Sequence, residues 1–89
     1  MNPAFSLEGR LILITGGGTG LGRAMANSIA ACGGEVVITG RTEETLIDAC
    51  AEIGERAHYI VHDIRDLESI PALIDQIEAT YGPLYAAVN

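Results

Sequence analysis

The chain contains no lysine. Its five basic residues, among 89, are all arginine: Arg10, Arg23, Arg41, Arg56 and Arg65. Twelve acids outweigh them, for a formal charge of −7 and a pI near 4.5. The missing lysine excludes any mechanism carried by a lysine of these residues. An acidic chain with no basic run is also a poor ligand for nucleic acid, because neutralising phosphates takes clustered Lys and Arg. Cysteine is scarce: Cys32 and Cys50 are too few for a disulfide framework and lack metal-ligand spacing. They read as small buried thiols in helices. No apolar run approaches the ~20 residues of a membrane span, and residues 1–9 lack the zones of a signal peptide. The expected location is therefore the cytoplasm, with no nucleic-acid or membrane partner and no metal.

What is present is enough for one domain, or part of one. Apolar residues make up 48%, which argues against disorder. The run Arg10-Leu-Ile-Leu-Ile-Thr15 ends in glycines and reads as a strand buried on both faces. Leu21, Met25, Ile29 and Cys32 recur at helical spacing from Gly20, until Gly33-Gly34 stop the helix. Glu35–Thr39 is β-branched and strand-like. Thr42 suits the cap of a second helix, with Glu43 and Glu44 at its positive end and Leu46, Ala49, Cys50 and Ile53 on its apolar face.

Ala57–Val61 reads as a third strand. Asp66 or Ser69 caps a third helix faced by Ile70, Leu73, Ile74 and Ile77, with Pro71 confined to its first turn. Gly82-Pro83 end that helix, and Leu84–Val88 reads as a fourth strand. Alternating β and α with right-handed crossovers predicts a parallel three-layer α/β arrangement. The sequence stops at the end of that strand, so it reads as a truncated product or fragment.

The strongest local signal is Thr15-Gly16-Gly17-Gly18-Thr19-Gly20-Leu21-Gly22, between the first strand and the first helix. Glycines there permit a sharp turn, close approach of a ligand, and tight packing of the helix on the sheet. The N–H groups and dipole of the helix start favour an anion such as a pyrophosphate. Without lysine the loop is not a P-loop. Glycines at i, i+2 and i+5 also fail, because Leu21 or Arg23 occupies the third position. The spacing that fits is Thr-Gly-x-x-x-Gly-x-Gly.

With that spacing, the chain resembles the short-chain dehydrogenase/reductase family. Leu7-Glu-Gly-Arg10 resembles the family's lead-in, His62-Asp63-Ile64 its segment beside the adenine ring, and Tyr81-Gly-Pro-Leu84 its helix-to-strand turn. Val88-Asn89 resembles the start of its Asn-Asn-Ala-Gly motif. Tyr85 departs from the family, which often has an acid there. The resemblance implies a Rossmann-type doubly wound parallel sheet with four strands in order 3-2-1-4, truncated after strand 4. Residues 1–89 would be the N-terminal part of a single NAD(P)-binding domain. The first two helices should cover one face and the third the other. A lone third helix leaves apolar sheet exposed, so the isolated chain is expected to be marginal or to self-associate.

The resemblance also implies a cofactor site of Gly16, Gly18, Thr19, Gly20, Leu21, Gly22, Arg41, Asp63, Ile64 and Asn89. Where an acid would hold the ribose 2′-OH of NAD, this sequence has Gly40 followed by Arg41. A guanidinium suits a 2′-phosphate, so NADP(H) is expected over NAD(H), with Thr42 assisting and Arg23 adding positive potential. His58 and His62 have no partner at catalytic or metal spacing and read as structural or solvated.

In the family a tyrosine in Tyr-x-x-x-Lys is the general acid/base, its pKa lowered by the lysine and the cofactor. Tyr59, Tyr81 and Tyr85 are followed four residues on by Asp63, Tyr85 and Asn89. No catalytic residue is therefore expected in this chain. The complete protein would move hydride between NADP(H) and a carbonyl, alcohol or enoyl substrate, and its full-length form would be a homo-oligomer. The glycine loop with Gly40-Arg41 also resembles the subgroup that reduces unsaturated acyl-CoA thioesters. The alternative is a non-catalytic nucleotide-binding or interaction module complete at 89 residues.

Overall fold

The computed structural model describes residues 6–88. Strand β1 spans Leu11–Thr15, helix α1 Gly20–Ala31, β2 Glu35–Gly40, α2 Glu43–Ile53, β3 Ala57–Val61, α3 Ile70–Tyr81 and β4 Ala86–Val88. The strands form one sheet in the order β3-β2-β1-β4, and every neighbouring pair is parallel. The expected topology is therefore the observed one. The register aligns Thr15 with Thr39 and Thr39 with Ile60, which brings the carboxyl ends of three strands to one edge.

The alternation of side chains along a strand divides the core. Ile12, Ile14, Val36 and Ile38 point to one face, where they pack with Ala26 of α1 and Leu46 and Ala49 of α2. Leu11, Leu13 and Val37 point to the other, against Leu73 and Ile77 of α3. Burial on both sides is why β1 and β2 read as unbroken apolar runs. On β4, Ala86 and Ala87 are exposed.

Three details differ from the sequence reading, the first being that β4 begins at Ala86 rather than Leu84. The face of α1 is rotated from the large residues toward small ones. Ala26 is fully buried, Met25 and Ile29 are partly so, and Leu21 is 77% exposed. Gly22 and Ala26 lie four apart, so they share a face that brings the helix backbone close to the sheet and loop. The third helix has both of its expected starts. Asp66 precedes a 3-10 turn over Leu67–Ser69, and Ser69 occupies the N-cap position of α3, with Pro71 in its first turn. Neither side chain caps its helix. Instead, Ser69 Oγ donates to the Asp66 carbonyl at 3.0 Å.

At the base of the sheet, the Arg10 guanidinium lies 4.6 Å from the centre of the Tyr85 ring. This cation–π contact gives the unexpected tyrosine a partner where an acid would have formed an ion pair.

Candidate functional site

The loop after β1 is built by a left-handed turn and by close approaches that favour glycine. Gly16 turns the chain at φ 72°, in the left-handed region that disfavours a side chain. The N–H groups of Gly16 and Gly17 donate to the Thr39 carbonyl at 2.8 and 3.2 Å, which ties the loop to the end of β2. A β-carbon on Gly17 would lie 2.5 Å from Cγ2 of the buried Ile38. One on Gly22 would lie 2.5 Å from the carbonyl oxygen of Gly16. One on Gly18 would meet Thr45 Oγ1 at 3.2 Å and Leu46 Cδ2 at 3.3 Å.

Thr19 holds the N-cap position of α1 in extended conformation, with no side-chain cap and no acid in the first turn. By contrast, α2 carries Glu43 and Glu44 in its own first turn. The first N–H groups of a helix lack intrahelical acceptors. At α1 the sequence therefore supplies no internal anion, and the glycines of the loop let a ligand come close to its backbone. These are the features of an anion cradle, and they fit the pyrophosphate of a dinucleotide.

The cradle opens into a cleft of about 420 Å³ at the carboxyl ends of β1, β2 and β3. Gly16, Gly18 and Thr19 form one wall. Thr39, Gly40, Arg41 and Thr42, with Thr45 and Leu46 of α2, form the second. His62, Asp63, Ile64 and Arg65 form the third. Six of the ten residues expected from the sequence thus line one cleft: Gly16, Gly18, Thr19, Arg41, Asp63 and Ile64. Gly20, Leu21 and Gly22 lie beside it in the first turn of α1. The exposed Leu21 borders a separate shallow surface with Ala24, Met25, Ser28 and Ile29. Asn89 lies outside the described residues.

Arg65, His62 and Thr45 line the cleft but were not among the residues expected there. Arg65 clamps Asp63. Its Nε reaches both carboxylate oxygens, at 3.1 and 3.2 Å, its Nη2 reaches Oδ2 at 2.8 Å, and its backbone N–H donates to Oδ1 at 2.9 Å. These bonds, with smaller help from the charge of Arg41, hold the Asp63 carboxyl down at about 2. The Arg65 guanidinium is raised in return. His62 also lines the wall. Its Nε2 lies 2.7 Å from Ser69 Oγ, while its buried Nδ1 has no hydrogen-bond partner among the described residues. Thr45 Oγ1 donates to the Thr42 carbonyl at 2.9 Å, so Thr45 rather than Thr42 secures the start of α2 by its side chain. The spacing Asp63-Ile-Arg65 was the available signal for the clamp.

Arg23 belongs elsewhere. It pairs with Glu52 of α2 and donates to the Asp48 carbonyl at 3.3 Å, while Asn27 Nδ2 holds the other Glu52 oxygen at 2.8 Å. The bonds from Asn27 and Arg23 lower the Glu52 carboxyl. The expected contribution of Arg23 to the anion site is thus replaced by an α1–α2 link, because Glu52 lies within its reach.

The tyrosines are also occupied away from the cleft. Tyr59 donates to Glu43 Oε2 at 3.1 Å, and that bond, with burial, raises its phenol. A tyrosine acting as a base needs the opposite shift. Tyr81 stacks on His58 with ring centres 4.5 Å apart, and His58 Nε2 pairs with Glu35 Oε2 at 3.0 Å. Cys32 and Cys50 are free and part-buried, and burial pushes the Cys50 thiol up. Among the described residues no helix is long and apolar enough to cross a membrane, and no group of three potential ligands could hold a metal.

Comparison with known proteins agrees with this geometry. A family model described as short chain dehydrogenase matches residues 10–89. The chain is 38% identical over 87 residues to 2-dehydro-3-deoxy-D-gluconate 5-dehydrogenase of Escherichia coli (strain K12), covering 97% of this chain and 34% of that protein. Its structure resembles crystalline 2-keto-3-deoxy-D-gluconate dehydrogenase from Streptococcus agalactiae with a TM-score of 0.87 at 32% identity, over 96% of this chain and 33% of the other. It also resembles 3-ketoacyl-(acyl-carrier-protein) reductase from Brucella melitensis, solved in complex with NADH, with a TM-score of 0.84 at 33% identity. That match covers 92% of this chain and 34% of the reductase. The chain spans about a third of the length of each of these relatives.

Proposed function

The chain belongs to the short-chain dehydrogenase family, and from that membership we propose that residues 1–89 are the N-terminal, NADP(H)-binding portion of an oxidoreductase. Gly16, Gly18, Thr19, Gly20, Leu21 and Gly22 hold the pyrophosphate side. Asp63 and Ile64 flank the adenine, Asn89 steadies the cleft, and Arg41 takes the ribose 2′-phosphate. One observation carries the choice of cofactor. Arg41 lines the cleft just beyond the end of β2, and Gly40 stands where a carboxylate would select the 2′-hydroxyl.

The bound nicotinamide supplies or accepts hydride. This chain's own part is to bind and orient the dinucleotide. The complete protein uses it to interconvert a carbonyl and an alcohol, with the acid/base tyrosine and its lysine elsewhere in the sequence. It works in the cytoplasm as a homo-oligomer. The relatives named above are dehydrogenases and a ketoacyl reductase, which favours carbonyl chemistry over enoyl reduction.

NAD(H) is the competing reading, because the Brucella reductase was solved with NADH. Dissociation constants for both cofactors decide between them. NADPH should bind at least tenfold more tightly than NADH, and Arg41→Ala should remove most of that difference. Equal binding in the parent chain refutes the NADP(H) reading, and an Arg41→Ala variant that binds NADPH unchanged refutes the role of Arg41.

A further inference from the structure

Asp63 presents a difficulty for a cleft that receives a phosphate. Its carboxylate shares the cleft with Arg41, close enough to feel the charge of that guanidinium. An unmasked carboxylate there would compete with the phosphate for Arg41 and repel the phosphate directly. In the structure it is not unmasked. A carboxylate has about four acceptor positions. Three N–H groups of Arg65 engage both oxygens: the backbone N–H on Oδ1, Nη2 on Oδ2, and the single Nε hydrogen shared between the two.

The clamp is local, since the two residues are two apart in sequence. It survives at the surface because its fork is multidentate. We propose that Arg65 is a specificity-determining positioning residue: by engaging both oxygens of Asp63 and neutralising its charge, it keeps Arg41 available to a 2′-phosphate on an adenine nucleotide. This proposal rests on the NADP(H) reading and adds to it. Arg41 grips the phosphate, and Arg65 acts through Asp63 without contacting it.

Adenosine 2′,5′-bisphosphate and 5′-AMP test this, because both occupy only the adenine half of a dinucleotide site and differ in the 2′-phosphate. Dissociation constants are measured for the parent chain, Arg65→Ala, Asp63→Asn and the double variant. In Arg65→Ala the bisphosphate should weaken about five- to tenfold relative to AMP, as expected for one unmasked charge acting on a dianion through water-like screening. The double variant should recover the parent ratio, since the exposed carboxylate is then gone.

Three outcomes would overturn the proposal: equal weakening of both ligands in Arg65→Ala, an unchanged ratio, or no recovery in the double variant. The last would mean that Arg65 touches the phosphate itself. A parent chain that does not favour the bisphosphate refutes the NADP(H) reading instead, so the two failures are distinguishable. Circular dichroism of each variant separates loss of fold from loss of selectivity.

Discussion

Gly22 stands so close to Gly16 that a β-carbon on Gly22 would lie 2.5 Å from the Gly16 carbonyl oxygen. The next nearest atoms are also backbone, Gly16 C and Gly17 Cα, both at 3.1 Å. No flexible side-chain end can swing away, so Gly22→Ala must move the loop or the helix. It should lower stability by about 1–3 kcal/mol, the usual range for overpacking, and weaken adenine-dinucleotide binding at least tenfold. Urea denaturation and a dissociation constant measure the two effects. A variant matching its parent in both would refute the strict packing of loop against helix.

Gly40→Asp tests cofactor selection from the opposite side. A β-carbon at Gly40 would lie 3.3 Å from Leu46 Cδ2, the end of a side chain that can adjust by a few tenths of an ångström. The fold should therefore persist. The new carboxylate would accept from a ribose 2′-hydroxyl and repel a 2′-phosphate, shifting the NADPH-to-NADH affinity ratio at least tenfold toward NADH. An unchanged ratio in a folded variant would show that the end of β2 does not read the ribose.

Arg23→Ala provides the contrast. Arg23 is engaged by Glu52 and the Asp48 carbonyl on α2 and does not line the cleft. Its loss should slightly lower the melting temperature and leave the ratio of bisphosphate to AMP affinity unchanged. A shift in that ratio would return Arg23 to the anion site.

The Asp63–Arg65 clamp predicts a titration. With the folded carboxyl held down at about 2 and an unfolded value of about 3.9, the clamp favours folding above about pH 4. That contribution disappears as pH falls from about 4 to about 2, because the folded state then takes up the proton last. NMR of the Asp63 side-chain carboxyl should give a midpoint near 2. In Arg65→Ala the midpoint should rise toward the ordinary carboxylate range. A midpoint unmoved by Arg65→Ala would show that the clamp does not hold in solution.

The sequence by itself determined the elements and their order. Unbroken apolar runs identify β1 and β2 as strands covered on both faces, and Gly33-Gly34 and Gly82-Pro83 mark where helices must end. The spacing of Thr15, Gly16, Gly20 and Gly22 located the loop, because few other residues permit such a turn. These signals are local, and local backbone preference is what a linear pattern records. The tertiary structure alone decided which charges meet. Arg23 and Arg41 look alike in sequence, yet Arg23 is taken by Glu52, 29 residues away, while Arg41 lines the cleft. His62 has no partner at metal or catalytic spacing, yet the fold gives its Nε2 the hydroxyl of Ser69 and brings it to the same wall as Asp63. Pairing of charged side chains depends on how helices dock across the sheet, and that is set by the packing of Ala26, Leu46 and Ala49 rather than by the charges themselves.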